Sequence, residues 1–214
     1  MTSTVDAHAT QHASSPTVPP NQVPLPSPLD DLHQQLQVIR SDAEKLLDGL
    51  DNETLNWSID EESWSIGQCL EHLAVVDWSY GKAIERRLER EIARGKVGEP
   101  VSREARYSAL ERMWIRSIEP PATRSFPAPP SMKPPSTLDL DALQERFFGA
   151  NARLTQAVES ARGIDVTRVK IGLPIFPLVR LRIGAALSVV TSHDRRHLWQ
   201  AWKVRRHADF PTPR

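Results

Sequence analysis

The sequence predicts an all-α protein whose folded part is a four-helix bundle. Two observations carry this prediction. Four long segments of the 214-residue chain repeat apolar residues at intervals of three and four, and no comparable stretch alternates apolar and polar residues. Most of the 18 prolines lie near the N-terminus or in the middle of the chain, so they leave these four segments intact.

Residues 1–28 are predicted to be a disordered tail. Six prolines stand there among Ser, Thr, Ala, Gln and His, and this composition buries too little apolar surface to offset the entropy lost on ordering. No apolar run long enough for a signal peptide or a membrane span is found. Together with a single cysteine, this pattern predicts a cytoplasmic protein.

The first two helices are predicted over residues 29–50 and from Ser65 to about Arg94. The apolar stripe of the first comprises Leu32, Leu36, Ile39, Ala43, Leu46, Leu47 and Leu50. The second begins at Ser65, because this residue is a good N-cap and Gln68 three residues later completes a capping box. Gly95 then ends the helix.

A long crossover separates these two helices from the second pair. Seven prolines between Pro120 and Pro135 predict an extended connection, since proline lacks the amide donor and clashes with the preceding turn. Residues 102–118 are predicted to form a short helix before it. One long connection and two short ones argue against a simple up-down-up-down order.

The third long helix is predicted to begin at Thr137 and to end at Gly163, and the last to run from about residue 180 to Arg206. Residues 166–169 are the best candidate for a strand, but they are too few to found a sheet. The bundle domain is therefore expected over residues 29–207, followed by a C-terminal tail over 208–214.

The charge balance limits the classes of partner. The chain has 27 basic and 27 acidic side chains, so it has no net positive field for nucleic acid or an anionic membrane. Neither is expected as a partner. Homodimerisation through a bundle face remains a hypothesis, because no single residue indicates it.

Three histidines are candidates for a metal site. His193 and His197 are four residues apart, so they share one face of the last helix, which is the spacing by which a helix offers two nitrogens to one ion. His72 lies at the edge of the second helix's apolar stripe. Three histidines from two helices would leave a coordination position for water, as in catalytic zinc sites. The alternative is two solvent-facing histidines and one hydrogen-bonded histidine at the core boundary.

Residues of these two helices also raise two other metal chemistries. The segment His193–His197 differs from the zinc-protease pattern His-Glu-x-x-His, because Asp194 is shorter than the glutamate base and only seventeen residues follow His197. We reject that class. Cys69 shares a helix face with His72 and could approach a metal, although a lone cysteine on an apolar stripe is usually a small core residue.

Two motifs resemble the DinB-like superfamily. They are Trp64-Ser65 with His72-Leu73 in the second helix, and His193, His197 and Gln200 in the last helix. The resemblance spans about residues 29–206. It implies a bundle of up-down-down-up order and a divalent metal, zinc or nickel, held by His72, His193 and His197. Gln200, Cys69 and Asp194 are candidates to support these ligands or to line a pocket.

The resemblance also implies two functions from different classes. Characterised relatives include bacterial transferases that use bacillithiol or mycothiol. The first function is therefore a metal-dependent thiol transferase or hydrolase that acts on a small molecule in stress or detoxification. A low-molecular-weight thiol would be its cosubstrate, and no catalytic residue is assigned. The second is a non-catalytic metal-binding or structural bundle that binds another protein. A fourth protein ligand, such as Cys69, would favour the second.

Overall fold

The computed structural model describes residues 28–98, 107–121, 128–174, 176 and 178–211. The tail predicted over 1–28 lies outside these residues apart from Pro28, which is the first residue of a helix. Residues 102–106 of the predicted short helix and residues 212–214 of the C-terminal tail lie outside them as well. Within the described residues, no helix has the length and apolar character needed to cross a membrane.

The described residues are mainly helical, which confirms the all-α prediction. The helices are α1 (Pro28–Leu47), α2 (Asn52–Asn56), α3 (Ile66–Ala93), α4 (Ala109–Ile118), α5 (Leu140–Ser160) and α6 (Ile183–Arg205). A 3-10 turn, Pro130–Met132, lies in the crossover. Strands β1 (Lys170–Gly172) and β2 (Arg180–Arg182) form a small antiparallel hairpin, with Ile171 opposite Leu181.

Helix α3 begins and ends where the sequence predicts. The Ser65 hydroxyl accepts a hydrogen bond from the Gln68 amide at 3.1 Å, and the Gln68 side chain accepts one from the Ser65 amide at 3.1 Å. This capping box satisfies two amides that the first turn leaves unpaired. After Arg94 the chain turns at Gly95, whose φ of 67° favours glycine. Helix α3 therefore carries His72 in its second turn.

Other boundaries differ from the predictions for local reasons. Helix α5 begins at Leu140 rather than Thr137, because the Asp139 side chain accepts a hydrogen bond from the Ala142 amide and makes Asp139 the N-cap. Helix α6 begins at Ile183, since residues 180–182 pair with β1 instead. The hairpin and α2 were not predicted, and residues 166–169 form a turn rather than a strand.

The four long helices bury one another's apolar stripes. Helix α3 packs against α5 and α6, and α1 packs against the same two helices. The apolar core is fully buried at positions such as Leu70, Ile84, Phe147 and Leu187. Helix α4 lies along α6, where Glu111 pairs with Arg182 and Glu119 with Arg195. Helix α4 and the crossover together cover one side of the contact between α3 and α6.

Candidate metal centre and cavity

His72, His193 and His197 converge between α3 and α6. The Nε2 atom of His193 lies 3.3 Å from that of His72 and 3.1 Å from that of His197. The three candidate ligand atoms all lie within 4.8 Å of one another. An ion at about 2.1 Å from each nitrogen places pairs of nitrogens about 3.0–3.4 Å apart, depending on the coordination angle. Two of the three nitrogen pairs therefore have the spacing expected of ligands that share one divalent ion, and the third pair lies within 4.8 Å.

The crossover fixes the orientation of His72. Its Nδ1 lies 2.8 Å from the carbonyl oxygen of Met132, which belongs to the 3-10 turn. Because a carbonyl only accepts hydrogen bonds, Nδ1 of His72 carries the hydrogen, and Nε2, which lies near His193, keeps a lone pair that can bind an ion. The proline-rich segment thus holds one member of the cluster in the tautomer that a metal ligand requires.

Burial keeps the cluster neutral. Burial, together with smaller contributions from the neighbouring His72 and Arg196, lowers the pKa of His193 to about 3. Burial likewise lowers the pKa of His72 and of His197, although contacts with Met132 and Gln200 oppose these shifts. At neutral pH all three imidazoles are uncharged and have lone pairs to donate. Such a donor set suits a cation, since neutral imidazole is the form that binds metals.

A cavity of about 710 Å³ reaches the three histidines. This volume is in the range of small-molecule sites. Trp64 covers the cluster, with its ring stacked on His197 at 5.6 Å between centroids. Pro129 of the crossover and Trp114 of α4 form part of the wall, so the segment between the two helix pairs lines the cavity as well as orienting His72.

The comparison with known families agrees with this arrangement. The model of the DinB superfamily matches residues 35–201. The chain belongs to the DinB superfamily. The matched segment contains the three clustered histidines, and the predicted resemblance is confirmed. No curated protein and no solved structure matches the chain significantly.

In this DinB-superfamily protein the other candidates fall in different places. Gln200 and Cys69 line the cavity. Cys69 does not join the three-histidine cluster, and burial raises the pKa of its thiol to about 12, so the thiol stays protonated. Asp194 lies away from the cavity wall and is fully buried beside Asp77.

Asp77 and Asp194 form a carboxyl pair inside the protein. Both are 0 % exposed, and apart from each other their oxygens have no hydrogen-bond partner among the described residues. Burial and their mutual repulsion raise the pKa of Asp77, and burial raises that of Asp194. The pair therefore holds a proton at neutral pH.

The apolar pattern of α3 marks Asp77 as unusual, but no pattern marks several other features of the site. Asp77 follows Leu73 by four residues and precedes Tyr80 by three, so an acidic residue stands on the apolar stripe of α3. The Met132 carbonyl gave no signal, because a backbone acceptor has no residue signature. Trp199 and Trp202 do not line the cavity: Trp202 donates a hydrogen bond to Asp42 at 3.1 Å, and the ring of Trp199 contacts Lys203.

Proposed function

We propose that this DinB-superfamily protein is a metal-dependent enzyme that acts on a small molecule, of the thiol S-transferase or hydrolase type. A divalent ion, zinc or nickel, is held by His72, His193 and His197. The observation that carries the proposal is that the cavity of about 710 Å³ opens onto these three side chains. A site of this kind admits both an ion and a substrate.

The ligand set supports turnover rather than a closed structural site. Among the described residues, no fourth His, Cys, Asp or Glu joins the three histidines, so a coordination position faces the cavity. When bound, the ion supplies Lewis-acid chemistry that favours the thiolate of a cosubstrate or the hydroxide form of water. Met132 orients His72, and burial keeps the three imidazoles unprotonated.

The same proposal includes a four-helix bundle of up-down-down-up order. Side-chain contacts support this order, because they show which ends of two packed helices lie side by side. The contacts are Gln35 with Arg195 and Asp42 with Trp202 between α1 and α6, Glu71 with Arg146 and Glu85 with Arg153 between α3 and α5, and His72 with His197 and Asp77 with Asp194 between α3 and α6. In the α1–α6 and α3–α5 contacts, residue numbers rise in the same direction on both helices, so each pair is parallel. In the α3–α6 contacts they rise in opposite directions, so that pair is antiparallel. Helices α1 and α6 then run one way and α3 and α5 the other.

A thiol-transfer assay tests the function. Zinc- or nickel-loaded protein is incubated with bacillithiol, mycothiol or glutathione and the electrophile monochlorobimane. A carbon–sulfur bond forms, chloride leaves, and the thiol proton passes to solvent. We expect the rate to fall about 100-fold or more in the His193→Ala/His197→Ala variant, because the metal contribution to catalysis is lost.

Two further arms make the assay decisive. Hydrolysis of p-nitrophenyl esters by the same preparations separates a hydrolase from a transferase. The His33→Ala/His207→Ala variant removes two histidines that lie outside the cluster, and it should keep the wild-type rate. A protein that carries one ion per chain but shows no metal-dependent turnover in either arm would support the non-catalytic alternative and contradict the proposal.

A further inference from the structure

Tyr80 places an unused hydroxyl at the wall of the cavity. The residue is 4 % exposed and lines the cavity, yet its hydroxyl makes no hydrogen bond to any residue that the structure describes. The other tyrosine, Tyr107, is different: its hydroxyl lies 2.7 Å from that of Ser188 and 3.2 Å from the Gly184 carbonyl. The Tyr80 hydroxyl can therefore donate a hydrogen bond to a ligand in the cavity that carries a matching acceptor.

The hydroxyl of Tyr80 is a hydrogen-bond donor under physiological conditions. Burial raises the pKa of Tyr80 to about 12, so the phenol remains protonated at neutral pH. A protonated phenol recognises an acceptor such as a carbonyl, ether or amide oxygen. The uncharged form also fits its surroundings, because a phenolate would be poorly solvated there.

The walls around Tyr80 are apolar. Val76, Trp114, Ile118 and Val189 line the cavity with it, from helices α3, α4 and α6. Tyr80 lies eight residues after His72, which corresponds to about 12 Å along the helix axis. The charged lining residues Glu62, Arg196 and Lys203 belong to other parts of the wall. The cavity thus has an apolar arm that runs about two helical turns along α3 from the histidine cluster.

We propose that this apolar arm is a substrate subsite, in which the hydroxyl of Tyr80 donates a hydrogen bond to an acceptor on an aryl or alkyl group of the substrate. The substrate class is therefore an uncharged, apolar small molecule that bears a carbonyl or similar oxygen. Tyr80 selects it by binding rather than by taking part in bond making. The inference rests on the proposed function for the reaction that follows, whereas its test depends on binding alone.

A pair of shape-matched probes tests the subsite. 2-Acetylnaphthalene carries a carbonyl acceptor, and 2-ethylnaphthalene has the same ring and a similar side chain without it. Dissociation constants are measured by equilibrium dialysis for the wild type and for Tyr80→Phe. We expect Tyr80→Phe to weaken binding of the ketone by about three- to tenfold relative to binding of the hydrocarbon, which corresponds to the loss of one net hydrogen bond. Equal changes for the two probes, or no saturable binding to the wild type, would overturn the inference.

The control is Tyr107→Phe, which removes the same atom from a residue outside the cavity wall. It should leave the ratio of the two dissociation constants at the wild-type value, and a matching shift would also overturn the inference. Metal content is measured on the same preparations. A protein that binds no metal but shows the Tyr80-dependent preference retains the subsite and loses the proposed function. A protein that binds one ion per chain but shows no Tyr80-dependent preference keeps the proposed function open and contradicts the subsite.

Discussion

The His193→Ala/His197→Ala variant is expected to lose the metal that the wild-type protein binds. Wild-type protein dialysed against zinc or nickel should retain about one ion per chain, since one cluster of three nitrogens is present among the described residues. The variant keeps only His72, and a single imidazole on a protein wall binds a divalent ion weakly. Elemental analysis after removal of free metal measures the stoichiometry, and circular dichroism reports whether the helices are intact.

His33 and His207 provide the matched control for this experiment. They are histidines on the same chain, but His33 lies 3.2 Å from Glu159 and His207 lies 3.7 Å from Asp209, outside the cluster. The His33→Ala/His207→Ala variant should keep the wild-type ion. If it loses the ion, or if the cluster variant retains it with the same affinity, the three-histidine site is wrong.

The Asp77→Asn variant is expected to become more stable than the wild type as the pH rises. The pKa of both buried carboxyls is raised above the ordinary value of 3.8. Above that value the folded protein holds a proton that the unfolded chain has released, so the wild-type free energy of unfolding falls with pH. Each retained proton contributes a slope of about 1.4 kcal/mol per pH unit. Asparagine removes one titrating group and can still donate a hydrogen bond to Asp194.

Urea unfolding of metal-free protein between pH 5 and 8 measures this effect. The difference in unfolding free energy between variant and wild type should grow with pH, while the contribution of the histidines cancels because both proteins contain them. Asp141→Asn is the control, since Asp141 is an exposed aspartate in the first turn of α5 and should leave the slope unchanged. Parallel curves for Asp77→Asn and wild type would show that the buried pair holds no extra proton.

Local sequence rules predicted the parts of the molecule that depend on neighbours in the chain. The capping box at Ser65 and the glycine after Arg94 fixed the ends of α3, and the four-residue spacing placed His193 and His197 on one face. The family motif then linked His72 to them. These features need only the 3.6-residue period and the hydrogen-bonding needs of a helix end.

The features that were missed depend on contacts between distant segments. The carbonyl of Met132 reaches His72 across 60 residues, and no side-chain pattern marks a backbone acceptor. Asp77 and Asp194 meet only when α3 packs on α6. The hairpin of β1 and β2 has three residues in each strand, too few for an alternating pattern to stand out. Cys69 lines the cavity but is not part of the three-histidine cluster. Helix spacing alone cannot predict this difference, because Cys69 and His72 share one helix face.

The X-ray absorption spectrum of the zinc-loaded protein tests the central claim most directly, because it reports the atoms bound to the metal. Our account predicts nitrogen or oxygen neighbours at about 2.0–2.1 Å, including the outer-shell scattering of three imidazoles, and no sulfur. A sulfur neighbour at about 2.3 Å would indicate that Cys69 closes the site. Such a spectrum, or one without imidazole scattering, would contradict an open centre held by His72, His193 and His197.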